Sequence, residues 1–224
     1  MVSLANAARH EASLEMAKFL LQIRAVKLNN KEPFTWASGR KSPIYCDNRV
    51  TLSYPHVRNF IRQEFVNLIE EHIGPVDAVA GVATGGIPQG ALVAQELGLP
   101  FVYVRSEAKN HGMGNQIEGV IESGKTVVVV EDLVSTGKSS LLAVDALRAH
   151  GCVVKGMVAV FTYGLDVAAK NFEQAKMPLY TLTNYDDLIE CAVNLDMLNR
   201  SELDSLREWR QNPEKWSEDH MGAC

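Results

Sequence analysis

Residues 127–142, VVVVEDLVSTGKSSLL, decide the fold. The segment opens with four consecutive valines, an apolar run that is typical of a central parallel strand covered on both faces. Two carboxylates, Glu131 and Asp132, follow the valines at the end of a strand predicted over 126–131, and a loop of small residues then leads into a predicted helix over 137–149. Ligands of open α/β sheets bind at the carboxyl ends of strands, where loop amides and a helix N-terminus favour an anion. The segment therefore predicts a phosphate site.

Two common nucleotide-binding motifs are excluded at this turn. A P-loop needs a glycine five residues before its Gly-Lys pair, and that position is Asp132 here. The dinucleotide pattern GxGxxG is absent from the turn too. An ordinary strand–helix turn remains the structural alternative. Against it, adjacent carboxylates at the end of a buried strand repel each other and lose solvation, so we expect them to accept hydrogen bonds from sugar hydroxyls or to approach a metal ion.

The composition indicates a soluble globular protein. The chain has 224 residues, of which 46% are hydrophobic and 22% charged, enough for one α/β domain with a sizeable core. The net charge of −5 and the lack of a long basic run argue against nucleic acid as the main partner. No run approaches a membrane span, so no membrane partner is expected. Four scattered cysteines favour free thiols in the reducing cytoplasm, namely Cys46, Cys152, Cys191 and Cys224.

Strands alternate with helices along most of the chain, which predicts a mostly parallel, doubly wound sheet. The hydrophobic periodicity places the first helix over 11–28, and a second helix runs from Pro55 to Gly74-Pro75. A last helix is expected over 201–209, with a frayed end after it. The remaining elements are predicted as strands over 78–82, 101–104, 153–161 and 179–182 and helices ending at 97, over 166–174 and over 185–193.

A polar, glycine-containing loop over 105–119 is the second informative segment. Arg105, Lys109 and His111 lie close together in it. A solvated surface loop is the structural alternative, but loops longer than about 12 residues are uncommon unless they act as lids or are disordered. Three glycines would let this loop move. It is suited to closing over a polyphosphate and excluding water.

These segments resemble a known family. Residues 127–142 resemble the phosphoribosyl-pyrophosphate (PRPP) signature of type I phosphoribosyltransferases. The pattern RxxxKxHG from Arg105, and FTWASGRKSPIYCDNR over 34–49, are similar to the catalytic loop and the orotate-side segment of orotate phosphoribosyltransferases. The order of segments matches across nearly the whole chain.

The resemblance implies an α/β fold of the type I phosphoribosyltransferase kind, a doubly wound, mostly parallel sheet flanked by helices with an N-terminal hood segment. It implies one domain over 1–224, with the hood and first helices over about 1–75, a PRPP-binding core over about 76–183 and C-terminal helices over about 184–224. The implied reaction transfers the 5-phosphoribosyl group from PRPP to orotate. The products are orotidine 5′-monophosphate and pyrophosphate, in de novo pyrimidine synthesis.

The family's functional positions carry over residue by residue. The catalytic positions are Lys109, His111 and Asp132. The PRPP-binding positions are Arg105, Lys109, His111, Glu131, Asp132, Leu133, Val134, Ser135, Thr136, Gly137, Lys138 and Ser139. The orotate-side positions are Ser135, Tyr45 and Cys46, and the pyrophosphate-side loop is Ala83–Gly86. The resemblance also implies Mg²⁺, held mainly through PRPP with Asp132 as the one candidate protein ligand, and a homodimer in which the loop 105–119 reaches the neighbouring site.

Departures from the family pattern concern positive charge. Some members have lysines in the segments that correspond to Ala37, Gly85 and Ser106, and some have an arginine at Gly164. Stabilisation of the leaving group is then expected to rest on the basic loop and the metal. Three other cations could supply part of the missing charge, namely Arg40, Lys41 and Arg49.

Two alternatives remain at this point. A transferase for another base, such as hypoxanthine or adenine, would use the same PRPP signature, although the segment 33–49 argues against it. A non-catalytic PRPP-sensing regulator would keep the phosphate loop without the chemistry. The acidic balance and the intact basic loop argue against that regulator.

Overall fold

A computed structural model describes residues 4–36, 38–105 and 116–221. The chain forms two compact units. We call residues 52–183 the core unit, and residues 1–51 with 184–224 the terminal unit. The single domain expected over 1–224 stays a prediction. None of the helices in the described ranges is long and apolar enough to cross a bilayer.

Helices and strands alternate in the core unit, whereas the described part of the terminal unit holds short strands and four α-helices. The α-helices are α1 (Leu4–Gln22), α2 (Pro55–Leu68), α3 (Gly86–Leu97), α4 (Lys138–Ala149), α5 (Asp166–Gln174), α6 (Tyr185–Asn194), α7 (Arg200–Gln211) and α8 (Pro213–His220). A 3-10 helix spans Asn48–Ser53, and a π-helical turn over Ile69–Ile73 continues α2 to Gly74. The strands are β1 (Val26–Leu28), β2 (Phe34–Thr35), β3 (Lys41–Ser42), β4 (Ile44–Cys46), β5 (Ala78–Val82), β6 (Phe101–Val104), β7 (Ile117–Glu118), β8 (Thr126–Val134), β9 (Val153–Thr162) and β10 (Leu179–Asn184).

A six-stranded sheet in the order β10-β9-β8-β5-β6-β7 organises the core unit. Strand β8 lies in the middle and pairs in parallel with β5 and β9, and β5 also pairs in parallel with β6. Strand β7 is antiparallel to β6. The predicted doubly wound, mostly parallel architecture is confirmed. The parallel strands therefore end at one edge of the sheet, where ligands of such folds bind.

Strand β8 is longer than predicted. It continues past the expected end at residue 131 to Val134, because Glu131, Leu133 and Val134 remain in register with β9. Asp132, which was expected in the loop, thus belongs to the last part of the strand together with Glu131. A strand that is still paired presents its side chains in fixed, alternating directions.

Burial explains the valine run. Val127, Val128, Val129 and Val130 are all 0% exposed, as a central strand covered on both faces requires. Val127 and Val129 share one core cluster with side chains from the neighbouring helices and strands. That cluster includes Leu147 of α4, Met157 of β9 and Phe172 of α5.

The terminal unit departs from the predictions at two places. The first helix is not 11–28, because α1 ends at Gln22 and β1 then pairs antiparallel with β4. The predicted frayed end is also wrong, since Asn212 caps a further helix, α8. That helix buries Trp216, which is 4% exposed. A large aromatic side chain is strongly stabilised by such packing. The polar residues around Trp216 in the sequence do not indicate this burial.

Candidate active site

The two carboxylates at the end of β8 have different surroundings. Glu131 is 5% exposed, whereas Asp132 is half-buried. One oxygen of Glu131 accepts a hydrogen bond from the backbone amide of Asp132 at 2.9 Å, and the other accepts from the hydroxyl of Ser140 on α4, also at 2.9 Å. Glu131 therefore fixes the end of the strand to the helix. Asp132 is the more accessible carboxylate of the pair.

Burial raises the pKa of Glu131 well above its ordinary value, and the nearby Asp132 carboxylate raises it further. The hydrogen bonds from Ser140 and the Asp132 amide act in the opposite direction but do not compensate. Glu131 therefore keeps its proton in a pH range where an exposed glutamate has lost it. A proton on this pair relieves the repulsion between adjacent carboxylates that the sequence implies.

The glycine loop Ala83–Gly86, which joins β5 to α3, lies directly against the end of β8. A Cβ added to Gly85 would be 2.2 Å from Cγ of Asp132, and one added to Gly86 would be 2.4 Å from the carbonyl oxygen of Val130. Real Cβ atoms do not approach other atoms so closely, so only glycine permits this contact. A lysine at Gly85 is incompatible with this placement of Asp132. The peptide bond between Ala83 and Thr84 is cis.

The predicted phosphate-binding positions follow the same strand. Ser135 and Thr136 are half-buried, and Lys138 and Ser139 are exposed. Gly137 precedes α4 with a φ of +78°, a left-handed conformation that favours glycine. This gives the loop accessible hydroxyls and a helix N-terminus, which together suit an anion.

Leu133 and Val134 differ from the other predicted PRPP contacts. Leu133 is half-buried, but Val134 is 0% exposed. The carbonyl of Val134 accepts hydrogen bonds from the hydroxyl of Thr162 at 3.1 Å and from the amide of Tyr163 at 3.3 Å. Val134 therefore holds the start of the loop to the end of β9, and its contact with PRPP stays a prediction.

The basic loop is closed at its base by a short hairpin. Arg105 donates its backbone amide to the carbonyl of Gln116 at 2.9 Å, and its guanidinium lies 3.6 Å from the carboxylate of Glu118. The predicted loop over 105–119 thus includes the strand β7, which pairs with β6. Arg105 follows the carboxyl end of β6, at the same edge of the sheet as Asp132. Lys109, His111 and Ser106 lie outside the described residues.

The hood positions lie in the terminal unit. Tyr45, in β4, is 37% exposed and its ring lies 5.7 Å from that of Phe34. The thiol of Cys46 donates to the side chain of Asn48 at 3.2 Å. Their predicted contacts with orotate stay predictions, and Ala37 lies outside the described residues.

The three candidate cations of the hood already have partners. Arg40 pairs with Glu214 at 2.6 Å, Arg49 with Asp47 at 2.7 Å, and Lys41 donates to Thr35 at 3.0 Å. The Arg49 guanidinium lowers the pKa of the Asp47 carboxyl. Any role of these cations toward a substrate stays a prediction.

Two residues that hold parts of the site in place are absent from the predicted set, namely Ser140 and Asn171. The hydroxyl of Ser140 donates to the carboxyl group of Glu131 at 2.9 Å. The side chain of Asn171 donates to the carbonyl of Thr136 at 2.9 Å. A serine in the first turn of a helix that follows an acidic strand end is the signal that could have identified Ser140. No local signal marks Asn171, which is 35 residues from its partner.

Comparisons with known proteins show the family of this chain. The family model described as a phosphoribosyl transferase domain matches residues 54–193. An orotate phosphoribosyltransferase from Bacteroides thetaiotaomicron is 57% identical over 200 residues, covering 89% of this chain and 94% of the relative. One from Listeria innocua is 55% identical over 202 residues, covering 90% and 97%. The crystal structure of orotate phosphoribosyltransferase from Aeropyrum pernix has a TM-score of 0.71 at 30% identity, covering 82% of this chain and 99% of that one.

The chain belongs to the phosphoribosyltransferase family, and within it to the orotate phosphoribosyltransferases. The type I fold that the resemblance implied is confirmed.

We predict that Glu131 makes stability depend on pH. The folded state keeps the proton of Glu131 at pH values where the unfolded state has released it, so the folded state binds more protons and the unfolding free energy falls as pH rises. The fall begins near the ordinary glutamate value of 4.5 and ends once pH passes the raised pKa. Glu131→Gln should remove this slope, as measured by urea unfolding at a series of pH values.

The matched control is Glu122→Gln, which changes an exposed glutamate of the same unit. It should leave the pH dependence of the wild type in place. Parallel curves for wild type and Glu131→Gln would show that Glu131 titrates as an ordinary carboxyl.

Proposed function

We propose that this enzyme transfers the 5-phosphoribosyl group of PRPP to orotate, which yields orotidine 5′-monophosphate and pyrophosphate in de novo pyrimidine synthesis. The observation that carries the proposal is the close approach of the Gly85 backbone to the Asp132 carboxylate, beside a phosphate-type loop over 135–139. The relatives with 55–57% identity are named orotate phosphoribosyltransferases, and they match this chain over about nine-tenths of its length.

The reaction needs no protein nucleophile. When the bond between C1 and the diphosphate oxygen breaks, positive charge develops on the ribose and negative charge on the leaving diphosphate. Asp132 accepts hydrogen bonds from the ribose hydroxyls, with Glu131 behind it. The amides and hydroxyls of residues 135–139 hold the 5-phosphate, and the amides of Ala83–Gly86 face the diphosphate. Donors placed where charge develops lower the barrier without reorganising during the reaction.

The basic loop completes the site in this proposal. Arg105 lies at its base, and Lys109 and His111 neutralise the diphosphate as it leaves. Closure of the loop also excludes water, which would otherwise compete with the base for the ribose cation. On the base side, Ser135 contacts orotate, and the roles of Tyr45 and Cys46 stay predictions.

Magnesium fits the residues at the end of β8. A half-buried carboxylate such as Asp132 is the hard oxygen ligand that this ion prefers. Glu131 is unsuited, because both of its oxygens already accept hydrogen bonds. When bound, Mg²⁺ supplies charge to neutralise the diphosphate, and it usually keeps few protein ligands and uses substrate phosphates. Of the two carboxylates at the end of β8, Asp132 is therefore the one that would help to hold the ion, which is held mainly through PRPP.

We place the enzyme in the cytoplasm. Cys152 and Cys191 are free thiols, which is the state that a reducing compartment maintains. Burial raises the pKa of the Cys152 and Cys191 thiols, so these two are less reactive than an exposed cysteine.

The wild-type protein should consume orotate only when both PRPP and Mg²⁺ are present, releasing one pyrophosphate per orotate. Lys109→Ala should lower kcat by about 100- to 1,000-fold, because removal of one preorganised donor typically has this effect. Its affinity for orotate should change little. Steady-state kinetics with orotate, hypoxanthine and adenine as acceptors test the activity and its base specificity together.

Lys125→Ala is the matched control, since it removes a partly exposed lysine of the core unit that pairs with Asp77. It should keep wild-type turnover. A wild-type protein that binds PRPP but turns over none of the three bases would support the regulator instead. Near-normal kcat in Lys109→Ala would remove that residue from the catalytic set.

We also propose a homodimer in which the loop 105–119 of one subunit acts in the site of the other. Two inactive variants should then complement each other. Mixing Lys109→Ala with Asp132→Asn subunits produces heterodimers in which one of the two sites has both residues intact. Up to about one quarter of wild-type activity should return under random reassortment, as each mixed dimer restores one site in two.

Activity of the mixture is measured after mild dissociation and reassociation, with each variant treated alone as the control. If each loop serves its own subunit, no heterodimer contains an intact site and activity stays at the level of the separate variants. A monomer by light scattering would also contradict the shared site.

A further inference from the structure

We infer that Asn171 on α5 is a positioning residue for PRPP, because its side-chain amide holds the loop over residues 135–139 in the shape that binds the 5-phosphate. The inference rests on the proposed function and deepens it. Asn171 itself does not belong to the phosphate loop. It acts through the backbone of Thr136.

In the hydrogen bond between Asn171 and Thr136, the Asn171 side chain must be the donor. The side-chain nitrogen of Asn171 lies 2.9 Å from the carbonyl oxygen of Thr136. A carbonyl oxygen only accepts, so the amide must present its NH₂ group to it. The carbonyl of Thr136 and the N–H of Gly137 belong to the same planar trans peptide and point in opposite directions. By holding this carbonyl toward α5, Asn171 aims the Gly137 amide away from α5.

The next residue of α5 supports the same loop by packing. A Cβ added to Gly137 would be 2.6 Å from the ring of Phe172, so the loop backbone lies directly on that ring. Phe172 is 5% exposed and belongs to the core cluster. Two neighbouring residues of α5 thus contact the loop by different means, one by a hydrogen bond and one by steric contact.

Helix α5 is itself held in place, which lets Asn171 act as a fixed support. The backbone amide of Met177 donates to the carbonyl of Phe172 at 2.9 Å, which closes the C-terminus of α5. The guanidinium of Arg148, in the last turn of α4, donates to the carbonyl of Ala175 at 2.9 Å. Helix α5 and its C-cap therefore contact both ends of helix α4, through Gly137 at the N-terminus of α4 and through Arg148 in its last turn.

The 5-phosphate lies far along the substrate from the bond that breaks. We expect interactions there to be equally strong in the ground state and the transition state, so their loss should raise KM and leave kcat unchanged. Asn171→Ala should raise KM for PRPP by about three- to tenfold, the range expected for one lost hydrogen bond. KM for orotate and kcat should stay near wild type. A general loss of folding would not raise KM for PRPP while leaving kcat and KM for orotate near wild type.

Asn171→Asp separates the hydrogen bond from packing. This variant keeps the shape of the side chain but replaces the NH₂ donor with a carboxylate oxygen, which repels the Thr136 carbonyl. It should raise KM for PRPP at least as much as Asn171→Ala. Gln174→Ala is the matched control, because it removes an exposed amide from the same helix and should leave KM for PRPP unchanged.

Direct titration of PRPP with Mg²⁺ by calorimetry gives the same comparison without turnover. Wild-type KM for PRPP in Asn171→Asp, or an equal rise in Gln174→Ala, would overturn the inference. So would a fall in kcat with KM for PRPP unchanged. An inactive wild-type protein that does not bind PRPP would instead overturn the proposed function, so the two failures are distinguishable.

Discussion

The site depends on a close backbone approach between the glycine loop after β5 and the end of β8. Neither Gly85 nor Gly86 could carry a side chain while Asp132 and the Val130 carbonyl keep their places. Gly81 and Gly86 make a further contact of this kind, since a Cβ added to Gly81 would be 2.8 Å from the carbonyl oxygen of Gly86. Strands β5 and β8 thus bring the Asp132 carboxylate and the backbone amides of the glycine loop close enough together to contact the same ligand.

The acidic end of β8 has an electrostatic cost, which the neighbouring groups reduce. Two adjacent carboxyls at a buried strand end would destabilise the fold if both were ionised. Burial favours a proton on Glu131, and Ser140 and the Asp132 amide provide its hydrogen bonds. The two carboxyls are therefore divided in function: Glu131 joins the strand to α4, whereas Asp132 remains accessible, as the proposed contact with the ribose requires.

The sequence predicts those parts of the fold whose signals are local. The valine run predicts a buried central strand, and Pro55 and Gly74 delimit the second helix region, because these signals need no distant partner. The length of β8 and the burial of Trp216 could not be predicted in this way. Val134 stays in the strand because it pairs with Thr162, 28 residues away, and Trp216 is buried through packing that propensity does not encode.

A crystal structure of the enzyme with PRPP and Mg²⁺ tests the account most directly. The account predicts the 5-phosphate against the backbone of residues 135–139, the ribose hydroxyls at Asp132 and the diphosphate beside Ala83–Gly86. PRPP bound at any other edge of the sheet would contradict it. So would a complex in which Gly85 has moved away from Asp132 and the amides of its loop face solvent.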